Sequence, residues 1–85
     1  MAVVLLPSLL AAEAGGGNRF ELKAETLGEA LSALPVANLV LDEHGALRPL
    51  VNVYVDGVDA RDREGLATEL SGAEEIRLVA AIAGG

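Results

Sequence analysis

Leu50-Val51-Asn52-Val53-Tyr54-Val55-Asp56-Gly57 decides the fold class of this chain. Val51, Val53 and Val55 recur at every second position and form one apolar face of an extended strand; Leu50, Asn52 and Tyr54 form the other. Asp56-Gly57 is a pair that tolerates the positive φ angles of a tight hairpin turn, so Val58-Asp59-Ala60 reads as a short return strand. A strand with one apolar face needs a second layer to cover it.

That layer is found upstream. Thr26 is a good helix N-cap, with Glu29 three residues on in capping-box spacing. Leu27, Ala30, Leu31 and Leu34 then fall on one helical stripe. Pro35 ends this helix or opens another, so Val36 to Leu41 is read as a second short helix or turn. Asp42-Glu43-His44-Gly45 is a polar turn.

Both ends of the chain read as strands. Ala2-Val3-Val4-Leu5-Leu6 is apolar throughout, which suits a central strand covered on both faces. Leu9 to Ala14 reads equally as helical turn or loop, and Gly15-Gly16-Gly17-Asn18 is a chain reversal. Arg19-Phe20-Glu21-Leu22-Lys23 alternates, with Phe20 and Leu22 toward the core. The first two strands therefore read as an antiparallel hairpin. Arg61 to Gly65 is a charged loop, Leu66 to Leu70 has the length of a helical turn, and Ser71-Gly72 reverses the chain. Ile76 to Ile82 is the last strand, with Ile76, Leu78, Ala80 and Ile82 on one face and Arg77, Val79 and Ala81 on the other. The whole is an α+β two-layer domain over residues 1–82, followed by a flexible C-terminal tail at 83–85.

Composition narrows the function. The 85 residues carry 13 acidic and six basic side chains, a formal charge of −7. A carboxylate-rich surface repels phosphate, and Phe20 and Tyr54 are the only aromatics, so neither nucleic acid nor an anionic membrane is an expected partner. The acidity would suit docking on a basic protein surface, and equally would keep a small domain soluble. No cysteine is present, which excludes disulfides and thiolate chemistry. The apolar N-terminal stretch reads as a buried strand rather than a secretion signal, because no Lys or Arg precedes Arg19 and Pro7 interrupts it. Cytoplasmic residence is expected.

A conventional active site is hard to assemble. His44, the single histidine, lies in a polar turn and reads as a solvated loop residue. Ser8, Ser32 and Ser71 have no obvious base, no metal ligand set is spaced along the chain, and Gly15-Gly16-Gly17 lacks the ending of a phosphate loop. No catalytic residue and no metal site are expected. What remains is Ile82-Ala83-Gly84-Gly85, two glycines directly after a strand. Glycine has no Cβ, so such a tail can thread a narrow channel or pair with a partner's strand edge. The carboxylate of Gly85 could be adenylated and then displaced by sulfur, giving a thiocarboxylate that needs no cysteine; a frayed end is the alternative.

Several pieces together resemble the ubiquitin-like sulfur carriers of the MoaD/ThiS family. Val4-Leu5-Leu6-Pro7 looks like the family's first strand, and Glu25-Thr26-Leu27-Gly28-Glu29-Ala30-Leu31 like its helix entry. Asp42 to Arg48 and Val51 to Gly57 look like its middle, and Gly65-Leu66-Ala67-Thr68 and Ala80 to Gly85 like its end. The look is nearest to the cysteine or thiosugar type of actinobacteria. Two departures bear on pathway: Ala80 stands where many members have proline, and Gly72-Ala73-Glu74 replaces a Gly-Asp-Glu turn.

The resemblance implies a β-grasp, a mixed sheet of four to five strands with one main helix on one face and the first and last strands parallel at its centre. It implies that Gly85 is the thiocarboxylate and adenylation site, with Gly84 and Ala83 giving clearance. It implies that the chain is a co-substrate rather than an enzyme. No cofactor would be permanently bound, and ATP would be used by an E1-like adenylating partner of MoeB/ThiF type, with or without a rhodanese domain. A persulfide or sulfide source and a sulfur-accepting synthase complete the set. Strand parity places Tyr54, Val79, Ala81, Asn52 and Arg77 on the open sheet face as a docking patch. A ubiquitin-like modifier conjugated through Gly85 to lysines, and a plain interaction module, are the competing readings.

Overall fold

The computed structural model describes residues 1–80. The elements run β1 (Ala2–Leu5), α1 (Ser8–Glu13), β2 (Arg19–Leu22), α2 (Leu27–Ser32), α3 (Ala37–Val40), β3 (Val51–Val55), β4 (Val58–Asp59) and β5 (Glu75–Ala80), with short 3-10 turns at Ala60–Asp62 and Gly65–Ala67. The alternation at 51–55 is realised as expected, with Val51, Val53 and Val55 buried and Asn52 and Tyr54 half-buried. At the hairpin tip both Asp56 (φ 50°) and Gly57 (φ 84°) take the left-handed conformation that this tight turn demands.

The five strands form one sheet in the order β2-β1-β5-β3-β4. β1 and β5 lie side by side, parallel and central, while β2 and β3 flank them antiparallel. This is the strand arrangement that the resemblance implies. On the covered face Val4, Ile76, Leu78, Val53 and Val55 meet Leu27, Leu31, Val36 and Val40, all of them essentially inaccessible to solvent. Each such side chain contributes about 1.5–3 kcal/mol by leaving water, which matters in a chain too short for a thick core.

The helical layer is divided. α2 carries the stripe read at 27–34; Thr26 Oγ1 accepts from the Glu29 amide at 3.3 Å and donates to Glu29 Oε2 at 3.3 Å. The carboxylate thus meets the hydroxyl rather than the Thr26 amide, so only half of the reciprocal capping box forms. Pro35 separates α2 from α3, and Leu34 stays buried beyond the helix end.

Two segments differ from expectation. Leu9 to Ala14, for which helical turn and loop are both expected, takes the helical alternative within or at the end of α1, which Pro7 enters with φ −70°. The Gly15 amide bonds the Ala12 carbonyl and the Gly16 amide bonds the Ala11 carbonyl, with Gly15 at φ 83°. Gly15 and Gly16 therefore close the helix just past its C-cap Ala14, and β1 and β2 pair through an intervening helix rather than across a simple turn. Ala60 does not extend β4; it opens the 3-10 turn that runs into the charged segment, because Asp59 Oδ1 accepts from the Arg61 amide at 2.8 Å and turns the chain.

The approach to β5 is held by Glu74. Its buried carboxylate accepts from the Ser71 amide (2.6 Å), the Gly72 amide (3.0 Å), the Ala73 amide (3.1 Å) and the Ser71 hydroxyl (3.0 Å). Its carbonyl accepts from the Val3 amide at 2.9 Å. The turn and the β1–β5 register are thereby tied together.

Candidate functional site

β5 delivers the chain to its last five residues. Ala81, Ala83, Gly84 and Gly85, named above as part of the patch and the tail, lie with Ile82 outside the described residues. What the structure defines is the point of departure. Ala80 sits at the end of a strand paired on one side with β3 and on the other with β1, and its ladder partner is Val51.

Arg61 reinforces that point. Its guanidinium donates to the Val51 carbonyl at 3.2 Å and to Asn52 Oδ1 at 2.5 Å, and it stands 4.0 Å from the Asp59 carboxylate. The planar fork of arginine suits this double contact. The turn at 60–62 is thus bound to the stretch of β3 that faces Ala80. A charge run ordinarily reads as a solvated face, so Arg61 had no signal of its own in the sequence.

Four of the five residues named for the docking patch are described. Asn52, Tyr54, Arg77 and Val79 share the open face with Val3 and Leu5. Tyr54 stands opposite Arg77 and Asn52 opposite Val79, so Tyr54 and Val79 are diagonal neighbours. Val79 is 42% exposed, whereas Tyr54 is half-buried. Leu5, Pro7, Arg77 and Val79 line a shallow groove on this side of the exit.

A second groove lies on the helical side of the same strand end. Leu10, Leu39, Pro49, Leu50, Val51 and Ala80 line it, with Leu50 53% exposed. Leu9 is also exposed. Leu39 and Leu50 come from segments that alternation did not connect to the end of β5, so sequence reading missed them. The strand end therefore lies between two shallow clefts, one lined with Arg48 and the other with Arg77 among mainly apolar side chains.

Charge is distributed to match. On the open face Arg19, Arg77 and Arg61 each stand beside an acid, Glu21 at 3.7 Å, Glu75 at 3.2 Å and Asp59 at 4.0 Å. Glu13, Glu25, Glu29, Glu43, Asp62, Glu64 and Glu69 are exposed on helices and loops. The open-face arginines are thus each matched by an acid, and the excess of acid lies on exposed helices and loops. His44 is exposed; its ring stands 3.7 Å from the Glu43 carboxylate and its amide donates to Asp42 Oδ1 at 2.8 Å. No helix among the described residues is long and apolar enough to cross a membrane.

Comparison with known proteins gives a consistent answer. The family model described as the ThiS family matches residues 9–85. The sulfur carrier protein CysO of Mycobacterium tuberculosis is 30% identical over 96% of this chain and 96% of its own length. The crystal structure of that CysO superposes with a TM-score of 0.85 at 27% identity, covering 96% of this chain and 100% of the other. The Amycolatopsis orientalis BexX/CysO complex contains a chain with TM-score 0.84 and 28% identity, each chain covered completely. SAMP1 from Haloferax volcanii follows at TM-score 0.75 and 27% identity, covering 99% of this chain and 98% of that one. The fold is the α+β β-grasp of these neighbours.

Proposed function

The chain belongs to the ThiS family, and from that premise we propose that it is a sulfur carrier working through the carboxylate of Gly85. The observation that carries this reading is that the family match runs through Gly85 itself. The geometry of the strand that leads there supports it. β5 is a central strand, paired with β1 as far as Arg77 and with β3 as far as Ala80, and its end lies between two clefts that a partner could grip.

The chemistry is supplied by partners. A Gly85 carboxylate oxygen attacks the α-phosphorus of ATP within an E1-like enzyme and expels pyrophosphate. Hydrosulfide then attacks the carbonyl carbon of the acyl adenylate; a C–S bond forms, the C–O bond breaks, and AMP leaves with the electron pair. The thiocarboxylate is itself a nucleophile, which a synthase can direct at an activated substrate. Gly84 and Ala83 leave room for the tail in a narrow channel. The chain acts as co-substrate and binds no cofactor of its own. A sulfur-accepting partner is supported by the BexX/CysO complex of a relative. Intact mass after incubation with an adenylating enzyme, ATP and sulfide is the test.

A second reading is favoured by the likeness to the Haloferax volcanii small archaeal modifier protein 1, at 26% identity and TM-score 0.73 over 95% of this chain. In it Gly85 is passed to lysines of other proteins. Recovery from cells as isopeptide adducts, with no thiocarboxylate form, would support this second reading over the first.

A further inference from the structure

An activated carboxyl group faces a competitor that its own protein can supply. Any neutral amine within reach attacks an acyl adenylate or a thioester. An N–C bond forms, the thiol or AMP leaves with the electron pair, the amine proton passes to solvent, and the end is lost as an amide. Five of the six basic residues here are arginine, and Lys23 is the single lysine. A guanidinium stays protonated at any working pH and offers no lone pair, whereas a lysine ammonium with a pKa of about 10.4 is neutral in roughly one molecule per thousand near neutral pH.

The arrangement in space is as one-sided as the composition. Arg48 lines the same groove as Ala80, Arg61 bonds the ladder partner of Ala80, and Arg77 is three residues before it on β5. Lys23 follows Leu22, which pairs with Ala2 at the opposite pole, where β5 begins. There it lines a groove with Met1, Glu25, Leu70 and Gly72. Six residues of strand rise, about 20 Å, and two strand spacings, about 10 Å, separate Ala80 from Leu22. Five residues beyond Ala80 reach at most about 17 Å when fully extended. With the length of a lysine side chain added, the end meets Lys23 only if tail and side chain are both fully extended, whereas Arg48 and Arg77 stand close to Ala80 itself.

The contacts at these two positions do not call for arginine. Among the described residues the Arg48 side chain donates one hydrogen bond, from Nε to the Asn38 carbonyl at 3.1 Å, and that of Arg77 one, to Glu75 Oε1 at 3.2 Å. An ammonium could satisfy either.

We infer that the chain keeps its activated end for sulfur by surrounding the exit with cations that cannot be acylated and holding its one lysine at the far pole. This rests on the proposed role of Gly85. Arg48 and Arg77 are in this sense specificity residues for the acyl transfer, since they keep positive charge beside the exit without offering nitrogen as an acceptor.

The test needs no activating enzyme. The full chain is released from an intein fusion as its Gly85 thioester and kept in mildly alkaline buffer, and the products are resolved by intact mass and peptide mapping. The parent chain should hydrolyse to the free acid. R48K and R77K, both exposed and charge-conserving, should each yield an internal amide, one water lighter than the acid, at a level at least about tenfold above the parent, because a tethered amine acts at millimolar effective concentration. An internal amide through Lys23 in the parent at the variants' rate would overturn the inference, as would its absence from both variants. Because the thioester is made chemically, either result leaves the sulfur-carrier reading to its own assay with enzyme, ATP and sulfide.

Discussion

Ala80, the last described residue of β5, stands directly opposite Val51, whose carbonyl accepts from the Arg61 guanidinium at 3.2 Å. The point at which the chain leaves the sheet is therefore braced from the far side of its neighbouring strand. Removing the brace should loosen the exit more than the fold. Arg61→Ala gives up two side-chain hydrogen bonds, and a net loss of about 1–2 kcal/mol is expected from their usual worth. Hydrogen exchange should report it, with faster exchange at residues 51–52 and 79–80 and little change in β1 and β2.

Glu74 should give the fold an acid-sensitive step. Amide donation from Ser71, with further donation from the Gly72 amide, its own amide and the Ser71 hydroxyl, holds its carboxyl down from 4.5 to about 2 against the opposing cost of burial. A group whose folded pKa is depressed stabilises the fold above its unfolded pKa, and that stability is lost as pH falls from 4.5 toward about 2. Urea unfolding of the parent at a series of pH values should show this loss, and Glu74→Gln should be weaker at neutral pH and flatter in acid.

The clefts at the exit should matter to partners and not to folding. Leu50→Asp and Val79→Asp place a charge on exposed positions, so unfolding midpoints should move by less than about 0.5 kcal/mol. Activation or transfer by a partner should fall at least about tenfold, since burying an unpaired carboxylate in an interface is costly. Loss of stability in step with loss of activity would argue instead that the clefts are structural.

Core truncation should behave in the opposite way. Leu78→Ala empties a site that is 2% exposed on the strand leading to the exit. A cost of about 2–5 kcal/mol is expected, a large share of the 5–15 kcal/mol typical of a small domain. Thermal unfolding of the variant checks it.

Much of this architecture was legible in the residues. The valines at 51, 53 and 55, the Asp56-Gly57 turn and the stripe from Leu27 to Leu34 act locally, and period and turn chemistry disclose them. The central parallel pairing of β1 and β5 is not local, and it came from the resemblance rather than from alternation. α1 is not legible because no side chain caps it, and Gly15 shows its capping role only when its φ angle is known. Two of the quoted family pieces prove to be neighbours: the Leu27 amide bonds the Thr68 carbonyl at 2.9 Å, and a Cβ on Gly28 would lie 3.3 Å from the Leu66 carbonyl oxygen. The exit clefts were illegible because Leu10, Leu39 and Leu50 are brought together only by the fold.

The central claim concerns the carboxylate of Gly85, and intact mass spectrometry reads it directly. The chain is incubated with ATP, sulfide and an adenylating enzyme that charges a ThiS-family relative in the same reaction. The mass should rise by the replacement of one terminal oxygen by sulfur, and the shift should vanish when Gly84 and Gly85 are deleted. A relative that is converted while this chain keeps its mass would contradict the account.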